Sequence, residues 1–266
     1  MAEQISRMTV PRFMALKDKG RKISMLTAYD FPFAKLLDEA GVDAVLVGDS
    51  LSMVVQGHEN TLHVTLDEII YHAEMVGRAV ERALVVVDMP FPTFHLGPTA
   101  AVAHAARLLK ESRCQAVKLE GGVEQAATIA TLVSAGIPVM GHVGLRPQTV
   151  HQMGGYKVQR DEERLMADAR AAEQAGAFAV VLECIPPAIA AKVTGALRIP
   201  TIGIGAGNEC DGQVLVLHDL VGLTAGYVPN FVRQYADLRT TVRQAVEQYC
   251  QDVAACVFPS EGQAAK

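Results

Sequence analysis

The chain has 266 residues, 50% of them hydrophobic and only 5% aromatic, with a formal net charge of −5 at pH 7. This length suits one large domain over 1–266, and the apolar mass is aliphatic, as in strands buried on both faces. Both signs of charge are mixed with no Lys/Arg cluster, which argues against a nucleic-acid binder, and no apolar run approaches the ~18 residues of a membrane span. The five cysteines are odd in number and form no Cys-x-x-Cys pair. With no secretory signal over Met1–Arg12, they read as reduced thiols in a cytoplasmic protein.

In chain order, Pro11–Lys19 predicts a leading helix that closes the bottom of a barrel. Continuous β-branched and aliphatic runs then recur at Ile23–Thr27, Ala44–Val47, Leu84–Val87, Ala116–Leu119, Pro138–Gly141, Ala179–Leu182 and Thr201–Ile204, with an eighth at Gln213–Leu217. Unbroken rather than alternating runs are the signature of parallel strands. Helical spacing covers Phe33–Ala40, Leu66–Arg82, Ala100–Ser112, Glu124–Ala135, Glu162–Ala175 and Pro187–Leu197. Thr65-Leu66-Asp67-Glu68 is a capping-box sequence, and Gly41, Gly136 and Gly176 stand where helices end. Eight strands in repeated strand–helix order predict a (β/α)8 TIM barrel. Gly205–Gly212 is too short for a helix, so either the seventh connection lacks one or the eighth strand lies elsewhere. Gln234–Cys256 predicts a long additional C-terminal helix that packs on the barrel or reaches a neighbouring subunit, and 259–266 a flexible tail.

Active sites in such barrels lie at the C-terminal ends of the strands. The second strand runs into Gly48-Asp49-Ser50 and the third into Asp88-Met89-Pro90. The fourth carries Lys118-Leu119-Glu120, the fifth reaches His142, and the sixth runs into Glu183-Cys184. Neighbouring strands are about 4.8 Å apart, so Asp49, Asp88 and Glu120 are expected to converge. Three anions so close repel strongly, and a proton, Lys118 or a divalent cation has to offset them. An all-oxygen set without histidine pairs favours Mg²⁺. Any one of these acids is as readily a helix cap or a lysine's partner; all four together are not.

Glu183 stands apart on the sixth strand in an apolar setting that suits a general base; a buried ion pair is the plainer account. Lys118 shares a strand face with Glu120. It either neutralises a substrate carboxylate or enolate, forms a Schiff base, or serves as countercharge to Asp88. Gly203–Asn208 reads equally as a phosphate-binding loop or as a tight turn. Gly154-Gly155-Tyr156-Lys157 reads as a mobile active-site loop or as only a long connection, and His142 as either a substrate hydrogen-bonder or a structural histidine.

These residues resemble the ketopantoate (3-methyl-2-oxobutanoate) hydroxymethyltransferase family. The matching stretches include Met25–Asp30, Val47–Leu51, Val54–His58, Asp88–Phe91, Val117–Gly122, Gly141–Leu145, Gly154–Gln159, Leu182–Pro186 and Ile202–Gly207, within Thr9–Pro259. Each is weak alone; together they are highly specific. The resemblance implies a barrel of the phosphoenolpyruvate/pyruvate type. It implies hydroxymethyl transfer from 5,10-methylenetetrahydrofolate to 3-methyl-2-oxobutanoate, the first committed step of pantothenate biosynthesis. It places substrate and metal (Mg²⁺ or another divalent cation) on Asp49 and Asp88, metal also on Glu120, the oxo acid on Ser50 and Lys118, and the base on Glu183. It further implies a ring-based homo-oligomer, often a decamer. The chain departs from the family at Pro92–Leu96, where a small Gly-Ser-Tyr stretch is usual, and at His63, where proline is common.

The nearest competing enzyme is an isocitrate-lyase-type carbon–carbon lyase on the same barrel, but its Lys-Lys-Cys-Gly-His run is absent here. A non-enzymatic ring-forming assembly protein is the reading from a different class, and it gives no reason to keep four strand-end acids.

Overall fold

The aliphatic runs form a closed barrel of eight strands: β1 (Ile23–Thr27), β2 (Ala44–Val47), β3 (Leu84–Asp88), β4 (Ala116–Glu120), β5 (Val139–Gly144), β6 (Ala179–Glu183), β7 (Thr201–Ile204) and β8 (Gly212–Leu215). The structure is a computed structural model and describes residues 6–263. Each strand pairs in parallel with the next, and β8 returns to β1 from Ile23↔Gly212 to Leu26↔Leu215. Every residue of β2, β3 and β4 is buried, because the interior lies on one side and helices cover the other.

The barrel's helices are α1 (Val10–Asp18), α2 (Phe31–Ala40), α3 (Leu51–Val54), α4 (Leu66–Ala79), α5 (Pro98–Ser112), α6 (Ala126–Ser134), α7 (Val150–Met153), α8 (Glu162–Gln174) and α9 (Pro187–Ala196). The Thr65/Glu68 capping box opens α4, and Gly41, at φ 89°, closes α2. Helix α1 closes the N-terminal end of the barrel. Its Phe13 and Leu16 join Met25, Leu84, Met140 and Ile202 in one core, and Phe13 meets Phe178 edge-on at 5.8 Å.

Several boundaries differ from expectation. Strands β3 to β6 run further, to Asp88, Glu120, Gly144 and Glu183, because their ladders continue through Asp88↔Lys118, Glu120↔His142 and Gly144↔Glu183. Three of the acids therefore belong to the strands themselves. Helix α4 stops at Ala79 rather than Arg82, since the buried Asp38 carboxylate accepts from the backbone N–H groups of Glu81, Arg82 and Ala83 and turns the chain into β3. The short seventh connection holds no helix, and β8 ends at Leu215.

The chain separates into two compact units, Met1–Val216, which carries the barrel, and Leu217–Lys266. The second unit contains α10 (Leu217–Leu220) and the long α11 (Leu238–Ala254). Asp237 caps α11 by accepting from Thr240 N at 3.0 Å, which starts it later than Gln234. No residue of α11 is buried, and Val242, Val246, Tyr249 and Val253 form an exposed stripe at helical spacing. Of the expected tail, Glu261–Gln263 forms a 3₁₀ turn and 264–266 lie outside the described residues.

Gly77 sets how closely α4 approaches α5, because a Cβ there would lie 2.1 Å from the Ser112 carbonyl oxygen. Gly77→Ala is expected to destabilise the barrel by about 1–3 kcal/mol, measured as a lower denaturant midpoint. An unchanged midpoint would mean that this helix pair separates freely.

Candidate active site

All the strand-end residues singled out in the sequence gather at one end of the barrel. Asp49 follows β2 by two residues; its backbone N–H donates to Asp88 Oδ2 at 3.0 Å. Asp88 Oδ1 lies 2.6 Å from Lys118 Nζ, an ion pair between side chains only 4% and 6% exposed. Ser50 sits beside Asp49, its hydroxyl 2.8 Å from the Tyr29 hydroxyl. Glu120, at the end of β4, accepts through Oε2 from Gln148 N at 3.0 Å. Glu183 ends β6 with its Oε2 3.1 Å from His142 Nε2, and His142 Nδ1 is 3.3 Å from Lys118 Nζ. Glu183 is therefore not isolated from the other acids: His142, on the intervening strand β5, spans the distance.

The charges at this end do not balance. Asp49, Asp88, Glu120 and Glu183 face a single lysine. Burial, and then the Asp88 charge, raise Asp49 above the usual carboxylate range. Burial, and then Asp49, raise Glu120 well above it. Burial opposes the charge on Lys118, but Asp88, Asp49 and Glu120 outweigh it and hold the ammonium above its ordinary value. His142 is held low by burial and then by Lys118, which favours the neutral ring. An ammonium so firmly paired is a poor Schiff-base amine.

Among the described residues, no three His, Cys, Asp or Glu side chains meet as a metal-binding cluster. A hard cation that keeps several waters needs only one or two carboxylates, and the Asp49–Asp88 pair meets that need. Glu120 Oε1 and Gln148 Oε1 are buried acceptors with no hydrogen-bond donor among the described residues. A surplus of buried negative charge and two unsatisfied acceptors fit a hydrated divalent cation.

Two residues of the site were not anticipated. Gln148 donates through Nε2 to Asp49 Oδ2 at 2.9 Å and to Met89 O at 3.0 Å, so one side chain joins the ends of β2 and β3 while its backbone holds Glu120. It sits in a 3₁₀ turn after β5, where no periodicity marks it. Tyr29 is fully buried and stands two residues beyond β1, the same offset at which Asp49 follows β2; that shared offset was its signal. Of the Gly203–Asn208 run, Gly203 and Ile204 belong to β7 and the rest forms a bend: Gly205 and Gly207 have positive φ, a Cβ on Gly207 would meet Pro187, and the Gly207 carbonyl accepts from Gln213. Tyr156, in the Gly154–Lys157 loop, is half exposed with its hydroxyl 3.7 Å from Met53 Sδ. Of the residues that depart from the family pattern, His63 stacks on His58, and Phe94 is buried. All five cysteines are free. Burial, and then Glu183, push the Cys184 thiol up to about 12, so it is not a thiolate nucleophile.

The family model for ketopantoate hydroxymethyltransferase matches residues 7–261. A 3-methyl-2-oxobutanoate hydroxymethyltransferase of Rhodopirellula baltica is 58% identical, over 97% of this chain and 96% of that protein. The same-named protein of Desulforapulum autotrophicum is 56% identical, over 96% of this chain and 97% of that one. Among solved structures, a phosphoenolpyruvate phosphomutase from Streptomyces platensis subsp. rosaceus superposes with a TM-score of 0.65 at 15% identity, over 97% of this chain and 92% of that one. A phosphonopyruvate hydrolase solved with oxalate and Mg²⁺ gives 0.63 at 12% identity over the same shares. At such identity these two structures establish the barrel fold alone. With a full-length family match and relatives above 50% identity, the chain belongs to the ketopantoate hydroxymethyltransferase family.

Proposed function

We propose that this protein transfers a hydroxymethyl group from 5,10-methylenetetrahydrofolate to 3-methyl-2-oxobutanoate, forming ketopantoate in the first committed step of pantothenate biosynthesis. The observation that carries the reading is the buried Asp49–Asp88–Glu120 group, faced by one ammonium and joined through His142 to Glu183. A divalent cation such as Mg²⁺, held by Asp49 and Asp88 and by Glu120 directly or through water, would supply Lewis-acid polarisation of the 2-oxo acid.

The chain's own residues do the rest. Ser50 and Lys118 bind the oxo acid, and Tyr29 orients the Ser50 hydroxyl. Glu183 takes the C3 proton; the C–H electron pair passes into the C2 carbonyl to give an enolate. The ammonium of Lys118 offsets that developing charge. Water cleaves both C–N bonds to the donor's methylene carbon, its oxygen staying on that carbon and its two hydrogens passing to the folate nitrogens, so that tetrahydrofolate leaves. The enolate carbon forms the new C–C bond to the one-carbon unit, and the oxygen takes up the proton held by Glu183. The proposal includes a cytoplasmic homo-oligomer, a decamer by family likeness, and the uncovered stripe on α11 supports an assembly.

Two outcomes test this reading. With Mg²⁺, deuterium from solvent is expected to enter C3 of 3-methyl-2-oxobutanoate without any folate, followed by NMR. Glu183→Gln should slow that exchange by about 10²–10⁴-fold, and Asp88→Ala should abolish its response to added Mg²⁺. Full metal-independent exchange in Asp88→Ala would sink the scheme.

The second outcome concerns pH. Asp49 and Glu120 have raised folded-state values, so between about pH 4 and those values the folded state binds more protons than the unfolded chain. Their stabilising contribution is complete below the ordinary carboxylate range and is lost as pH rises through the raised values. In chelator, the Tm of the parent should fall more between pH 5 and pH 8 than that of the Asp49→Asn/Glu120→Gln variant. Parallel curves would contradict the charge imbalance.

A further inference from the structure

His142 is 2% exposed and stands between the lysine and the acid that the proposed reaction uses. Its Nδ1 lies 3.3 Å from Lys118 Nζ and its Nε2 3.1 Å from Glu183 Oε2. Glu120 Oε1, at 3.9 Å from Nδ1, is too far to compete for that nitrogen. An ammonium can only donate. Nδ1 is therefore the accepting nitrogen, and the single proton of the neutral ring sits on Nε2, facing Glu183. Lys118 is itself anchored by Asp88 at 2.6 Å, so the tautomer is set from the far side of the site.

The backbone around Glu183 is also constrained. Gly144 pairs with Glu183 and has φ 99°, and a Cβ on Gly144 would lie 2.2 Å from the Glu183 carbonyl oxygen. Strands β5 and β6 are thus locked together here, while the Glu183 side chain is 17% exposed. The Nε2–H is off the line of a good hydrogen bond in this structure. Glu183 Oε2 is nonetheless within reach at 3.1 Å, and catalytic contacts often tighten only with substrate bound.

We infer that His142 is a positioning residue for the proton abstraction: its Nε2–H, set by Lys118, holds Glu183 Oε2 and leaves Oε1 to take the C3 proton. The C3–H bond breaks, an O–H bond forms on Oε1, and the electron pair moves into the substrate carbonyl. The imidazole neither gains nor loses a proton. The inference rests on Glu183 being the base.

Two substitutions separate this role from a merely structural one. The amide of His142→Gln can place an N–H near the position of Nε2; that of His142→Asn reaches only as far as Nδ1. With Mg²⁺ and 3-methyl-2-oxobutanoate, His142→Asn should lower kcat for C3 deuterium exchange by about 100-fold, with KM changed less than about twofold. His142→Gln should recover to within about tenfold of the parent, and both variants should keep the parent's Tm to within a few degrees. Parent-like exchange in His142→Asn, equal losses in the two variants, a rise in KM alone, or unfolding of both would overturn the inference while leaving the proposed function standing. Absence of exchange in the parent itself would overturn both.

Discussion

Like charges buried within a few ångströms of one another are the constraint on which this site depends. At ~4 Å and an effective dielectric of ~20, such a pair repels by about 4 kcal/mol. Asp49, Asp88 and Glu120 are each at most 5% exposed, and Lys118 is the one fixed cation among them. The barrel tolerates this arrangement because its stability is secured elsewhere. Strands β2, β3 and β4 are buried throughout, and Phe13 and Leu16 of α1 fill the opposite end.

The two ends of the barrel treat their acids differently. At the N-terminal end, Asp43 accepts from the backbone N–H and hydroxyl of Ser24 and pairs with Arg21 at 2.7 Å. Asp211 accepts from Thr201 N and pairs with Lys17 at 2.8 Å. These carboxylates stitch strands and helix together and are matched by donors. At the C-terminal end, burial and mutual repulsion raise Asp49 and Glu120, and the buried acceptors Glu120 Oε1 and Gln148 Oε1 have no donor among the described residues. Carboxylates held in so unfavourable a state are the pattern that clusters at functional sites.

Much of this was legible in the residue order. Continuous aliphatic runs ending in an acid announced both the barrel and the end that carries the chemistry, because strand direction puts successive C-termini on one rim. What escaped depended on distances that no spacing encodes. Gln148 lies 99 residues from Asp49 in sequence, and only the 3₁₀ turn after β5 brings its amide back across the mouth. His142 was visible as a strand-end histidine, but whether it bridged Lys118 and Glu183 depended on the stagger of β4, β5 and β6. The glycine run after β7 was ambiguous because a phosphate loop and a tight turn require the same small residues. The family motifs added the substrate and the one-carbon donor, which carboxylates alone cannot specify.

The central claim is that a divalent cation offsets the surplus negative charge so that an anionic 2-oxo acid can enter a site already rich in carboxylates. Calorimetric titration of 3-methyl-2-oxobutanoate into the protein, with saturating Mg²⁺ and in chelator, tests it directly. The account predicts binding in Mg²⁺ that weakens by at least about tenfold in chelator, a difference of about 1.4 kcal/mol, and returns when Mg²⁺ is restored. Equal affinity under both conditions would contradict it.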